Sequence, residues 1–189
     1  MEKETNISHG LRWGIIIGVV YCLILVIRYA ASGGNPILFG VYTAIGYVII
    51  LILLLVSGFQ RRKKLGGYIE IKDAFQAMFV AVLIFELFYS IFNFIYLNYI
   101  NPDFFSNMRS AMELAMEDAN MPQSDIDNAL SQFDKNQKNS NGLGAQLSGY
   151  LISVVISGVI ALIFALIVKK KPNPFQSQTS TDQLLEQQR

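Results

Sequence analysis

Four stretches of the chain are almost continuously apolar, covering residues 13–31, 37–59, 74–100 and 147–168, and polar segments separate them. Each reaches or exceeds the run of about 18 residues that reads as a spanning helix rather than a core helix. The second and fourth contain no charge at all. The pattern predicts an all-α membrane protein: an antiparallel four-transmembrane-helix bundle with two short amphipathic helices in the outer loop, forming one domain over residues 1–171.

Those two helices come from the longest polar segment, residues 101–146. Asn101, Pro102 and Asp103 read as a helix start with asparagine as cap, and Phe105, Met108, Met112 and Ala115 then recur at helical spacing. Asn120 and Pro122 end that helix. Ser124, with Asp127 three positions on, signals a second start, and Ile126, Ala129, Leu130 and Phe133 form its apolar stripe. Such helices suit the membrane surface or the outer mouth of the bundle. Residues 135–144, rich in Asn, Gln, Ser and Gly, read as a flexible return, and residues 172–189 as a disordered cytoplasmic tail. Gly66 and Gly67 allow a tight turn before the third span, which Asp73 is placed to cap.

Basic residues set the orientation. Lys3 and Arg12 precede the first span, Arg61, Arg62, Lys63, Lys64 and Lys72 separate the second from the third, and Lys169, Lys170 and Lys171 follow the fourth. Cytoplasmic flanks carry such excess, so both termini are expected in the cytoplasm with the acidic 101–146 loop outside. The clusters at Arg61–Lys64 and Lys169–Lys171 read as topology determinants touching anionic lipid. A cleavable signal peptide is disfavoured at the amino terminus, because Glu2 and Glu4 cancel the needed charge and Arg28 lies just before the only suitable cut.

Spanning helices associate through small residues, which let backbones approach. Gly10, Gly14 and Gly18 recur every four positions on the first span, as do Gly149, Ser153, Ser157, Ala161 and Ala165 on the fourth. Both stripes are expected to be buried faces of the bundle, against each other or against a second copy of the chain. Two ionisable residues interrupt the apolar runs. Glu86 lies about halfway along the third span, with Tyr89, Ser90 and Asn93 beside it. Arg28, on an antiparallel first span, falls within about a helical turn of the same depth if the spans start at residues 13 and 74. A Glu86–Arg28 ion pair is one reading. The other is a snorkelling Arg28 with Glu86 satisfied by Asn93, Ser90 or a tyrosine.

Composition narrows the function classes. Hydrophobic residues make up 52% and charged ones 15% of 189 residues, against nearly a quarter charged in soluble domains. A formal net charge of +1 offers no field for nucleic acid, which is not expected as a partner. One cysteine (Cys22) and one histidine (His9) provide no disulfide and no zinc set, and Asp125 and Asp127 lack the rest of a calcium loop. Without a nucleophile, phosphate-cradling loop or metal set, neither a cofactor nor an enzymatic activity is expected.

The run Gly66, Gly67, Tyr68, Ile69, Glu70, Ile71, Lys72, Asp73, Ala74, Phe75, entering the third span, resembles a landmark of the bacterial inner-membrane family known as domain of unknown function forty-one ninety-nine. The exit Asn93, Phe94, Ile95, Tyr96 through Ile100, Asn101, Pro102 resembles its next one, and the methionine-rich loop and lysine-ended final helix fit as well. The resemblance covers about residues 5–171. It implies a polytopic envelope protein of a Gram-negative bacterium, and it carries no activity or functional residue. The expected role is that of a non-enzymatic scaffold, assembly or sensor-like subunit, meeting membrane lipid and a protein partner through the Phe105, Met108 and Met112 face. The alternative is a small oligomeric transporter or channel that uses Glu86, Asn93 and Arg28.

Overall fold

The structure, a computed structural model, describes residues 5–140 and 143–171. The described chain is helical: α1 (Asn6–Ser32), α2 (Pro36–Lys64), α3 (Ile71–Ile95), α4 (Phe104–Asp118), α5 (Gln123–Ser140) and α6 (Leu143–Val168). A π-helical turn, Tyr96–Ile100, prolongs α3. Four helices are long and apolar enough to cross a membrane: α1, α2, α3 with its π turn, and α6. The tail beyond residue 171, expected to be disordered, lies outside the described residues.

The helices begin and end where capping chemistry allows, beyond the apolar runs themselves. Thr5 accepts from the Ser8 amide while the Ser8 hydroxyl accepts from the Thr5 amide, so α1 starts at Asn6, seven residues before the apolar run. Asn35 caps α2 through Ile37 and Leu38, with Pro36 in the first turn. At α3, Glu70 rather than Asp73 holds the cap position and makes no side-chain cap bond. Asp73 instead accepts from Asn6 at 2.8 Å, and the same Asn6 accepts from Arg61 at 2.7 Å, tying three helix ends together. The α4 cap slips from Asn101 to Asp103, so the helix starts at Phe104 rather than Pro102. The stretch from residue 135 expected to be a flexible return is helical through Ser140, and α6 resumes at Leu143. Its Asn, Gln and Lys residues oppose burial but not helix formation.

The four spans alternate in direction, and α3 packs against each of the other three. α1 and α3, first and third in the up-down series, therefore run parallel, not antiparallel as the depth comparison above assumed. Gly10, Gly14 and Gly18 face Ala77, Ala81 and Phe88 in ascending order. α6 packs on the opposite flank of α3, with Gly158 against Phe79. The two small-residue stripes therefore do not meet. Each lets its helix approach α3, because α3 presents Ala74, Ala77 and Ala81 on one face and large side chains beside them. Gly149 is an exception to the buried stripe: it is exposed, and a Cβ there would touch nothing.

At the end away from α4 and α5, the basic residues are partly structural. Arg61 is buried, and Arg62 donates to the Val168 carbonyl at 3.2 Å, satisfying one of the last acceptors of α6. Gly66 and Gly67 take φ of 81° and 91°, the left-handed region that glycine enters freely. Their turn delivers Ile69 to a two-way backbone pairing with Lys170, at 3.0 Å in each direction. His9, 1% exposed, donates Nε2–H to the Ser57 carbonyl at 3.0 Å and joins α1 to α2.

The outer surface of the bundle is inverted relative to a water-soluble protein. On α6 alone, Leu151, Ile152, Val155, Ile156, Val159 and Ile163 are each at least half exposed, and α1 and α2 show similar faces. Monomers in water rarely leave contiguous apolar surface of more than a few hundred Å² uncovered. Hydrocarbon is the solvent that fits these faces.

Candidate functional site

Polar groups enter the bundle interior at two levels, and register decides which of them meet. With Gly10 beside Ala77, position n of α1 stands near position n + 67 of α3, so Arg28 is level with Asn93. Glu86 lies seven residues back from Asn93, about 10.5 Å along the axis. The expected Glu86–Arg28 ion pair is therefore absent. Starting α1 at residue 13 had placed Arg28 too shallow in the register.

Glu86 is 4% exposed and accepts from the Ser157 hydroxyl at 2.6 Å. Ser157 belongs to the small-residue stripe of α6, so the residue that lets α6 approach α3 also supplies the carboxyl's partner. Neither Ser90 nor Asn93 bonds Glu86. The stripe carries two hydroxyls, Ser153 and Ser157, and only the packing of α6 on α3 selects Ser157 as the partner.

Arg28 is 4% exposed, so it does not snorkel to the bundle surface. Its guanidinium lies 4.7 Å from the Tyr29 ring centroid and 4.5 Å from that of Phe39, within cation–π range. Its two terminal nitrogens reach Thr43 Oγ1 and Asn93 Oδ1, each at 3.4 Å. Those are long for hydrogen bonds. Asn93 Oδ1 already takes a 2.6 Å bond from the Tyr29 hydroxyl, and Tyr29 stacks on Tyr96 of the π turn with centroids 4.1 Å apart. Among the described residues no carboxylate pairs with Arg28, and its Nε is buried without a hydrogen-bond partner.

Beside Arg28 opens a cavity of about 760 Å³ between α1, α2, α3 and α6, roofed in part by Phe105 of α4. Tyr89, Ser90 and Asn93 line it from α3, and Ser148, Tyr150 and Ser153 from α6. Glu86 does not line it. Of the grouped polar residues, Arg28, Tyr89, Ser90 and Asn93 thus share one site while Glu86 stands apart with Ser157. A smaller pocket of about 400 Å³ on α4 and α5 surrounds the exposed Arg109–Asp134 contact of 3.1 Å and the Arg109–Glu113 contact of 3.2 Å. Exposed pairs of this kind contribute little.

α4 sits across the end of the bundle. Phe104 and Met108 are buried against Leu25 and Tyr29, with Phe39 and Phe105 packed around them. Of the Phe105, Met108 and Met112 face expected to dock a partner, Met108 is buried, Phe105 packs against the same cluster and Met112 is half-buried; the large apolar residues exposed on this cap are Leu114 and Met121.

Residues 12–170 match the family described as protein of unknown function (DUF4199). The chain belongs to that family. The match spans all four long helices and the α4–α5 cap, so the arrangement described here is the framework of a DUF4199 protein rather than an appendage to one. No curated protein and no solved structure matches the chain.

Proposed function

We propose that this DUF4199 protein is a non-enzymatic subunit of a bacterial inner membrane, with both termini cytoplasmic and the α4–α5 cap outside, acting by interaction as a scaffold, assembly or sensor-like component. The observation that carries this reading is the cap. It is anchored on the bundle through Phe104 and Met108, and it turns outward Leu114 together with Glu117 and Asp118. An exposed leucine among carboxylates on a fixed helix offers an anchor with an acidic rim, the arrangement that docking surfaces use. The basic residues at the opposite end support the orientation.

A photo-crosslinker at position 114 in intact cells should capture one recurrent envelope protein, and reversing Glu117 and Asp118 to lysine should reduce that capture severalfold. A crosslinker at the buried position 108 should link only within the chain. Recovery of lipid alone from position 114 overturns the reading.

The second reading, a small oligomeric transporter or channel, draws on the cavity beside Arg28. Between that cavity and the basic end, however, Ile17, Ile50, Leu54, Met78, Val82 and Phe85 are each at most 1% exposed and close the bundle with apolar side chains. Ion flux in liposomes that depended on Glu86 would favour transport despite this packing.

A further inference from the structure

Among the described residues, the cavity between α1, α2, α3 and α6 contains a positive group and no negative one. Arg28 lines it, and no described Asp or Glu does. A guanidinium removed from water needs a counter-charge or a full set of acceptors. Arg28 has neither: its Nε lacks a partner, and its two other bonds are both 3.4 Å long, one of them to an oxygen that Tyr29 holds more tightly.

A second source of positive potential faces the same space. Gly144, Ala145 and Gln146, in the first turn of α6, line the cavity. Of these, the Gly144 and Ala145 amides fall among the first four of the helix, which have no partner within it and carry the positive end of its dipole. Gly144 is exposed and a Cβ there would meet nothing within 4 Å, so the side of this turn is open to an approaching group. Ser90 and Ser153 add neutral donors from two sides.

We propose that this cavity binds a phosphate-bearing anion, a phospholipid headgroup or free phosphate, between Arg28 and the first turn of α6. Phosphate presents several acceptor oxygens in a tetrahedral array, which suits donors arriving from three helices, and arginine can engage two of those oxygens at once. A volume of about 760 Å³ accommodates a headgroup. The exposed Gly144, Ser148, Gly149 and Ile152 form the mouth, on the flank where α6 meets hydrocarbon. This inference goes beyond the interaction role proposed above and needs no protein partner for its test.

The test uses the full chain in a neutral detergent, with thermal unfolding as the readout. One pair of probes is inorganic phosphate against chloride at equal ionic strength. The other is phosphatidylglycerol against diacylglycerol with the same acyl chains. At least one phosphate-bearing probe should raise the melting temperature of the wild type, and Arg28→Gln should weaken that binding by about tenfold or more. Gly149→Trp, which starts from open space at the mouth, should fold and weaken binding likewise while leaving Arg28 in place. Stabilisation by both probes identifies the phosphate group itself as sufficient; stabilisation by phosphatidylglycerol alone identifies a lipid headgroup. If Arg28→Gln does not fold, Gly149→Trp decides. Absence of any phosphate-dependent shift, or affinity unchanged in the variants that fold, overturns the proposal.

Discussion

Replacing Gly14 by leucine should destabilise the bundle by about 3 kcal/mol, at the upper end of the usual cost of overpacking. A Cβ at Gly14 would stand 2.6 Å from the Ile84 Cβ, 3.0 Å from the Ala81 carbonyl oxygen and 3.1 Å from the Ala81 Cα. Two of these neighbours are backbone, so no rotamer change can relieve the contact; α1 must move off α3. Both helices would then lose the close packing that substitutes in lipid for the hydrophobic effect. Gly10 should be as sensitive, because its Cβ would meet the Ala77 carbonyl oxygen at 2.5 Å, and even alanine is excluded there without a shift. Gly40→Leu supplies the control, since a Cβ at Gly40 touches nothing. Unfolding in mixed micelles should show a large loss for Gly14→Leu and a small change for Gly40→Leu. Equal behaviour of the two would refute the α1–α3 interface.

The second large effect concerns the Glu86–Ser157 pair, and it is asymmetric. Ser157→Val leaves a carboxyl buried beside Phe85 and Val82 without its 2.6 Å donor, and should cost about 1–3 kcal/mol. Glu86→Leu leaves only a serine hydroxyl, which can turn back to a carbonyl of its own helix, and should cost less than Ser157→Val. The double variant Glu86→Leu/Ser157→Val should recover most of the stability lost in Ser157→Val. The four stabilities, wild type included, compared as a double-mutant cycle, measure the coupling. Additive losses would show that the hydrogen bond does not join the helices.

The four spans were legible because only Arg28 and Glu86 bring charge into their apolar runs, and a bilayer demands length before any other property. Their ends were less so. The Thr5–Ser8 cap and Asn6 are polar, so α1 appears in the sequence to begin at Trp13, and that displacement carried Arg28 to the wrong level against Glu86. The four-residue spacing of Gly10, Gly14 and Gly18 identified a packing face. It could not say which neighbour the face meets, because spacing is a property of one helix and contact a property of two. The pairing of Ser157 with Glu86 was hidden for the same reason. Helices within 101–146 could be anticipated from Phe105, Met108 and Ile126, whereas the burial of Phe104 and Met108 on Leu25 and Tyr29 depends on how α4 lies across the bundle. The site beside Arg28 belongs in the same group: Gly144 and Arg28 are more than a hundred residues apart, and only the folded chain shows that they share one space.

The pairing of Glu86 with a hydroxyl on the last span bears on biosynthesis. Spans emerge from the ribosome in order, so α3 is made some seventy residues before Ser157 exists. During that interval the acid has no partner from α6, and the nascent three-span form carries an unsatisfied carboxyl at the surface that α6 will later cover. Arrival of α6 conceals that group, and the Ile69–Lys170 pairing then latches the newcomer beside the α2–α3 connection. Concealment of the acid is thus a property of the four-span bundle that its first three spans do not possess on their own.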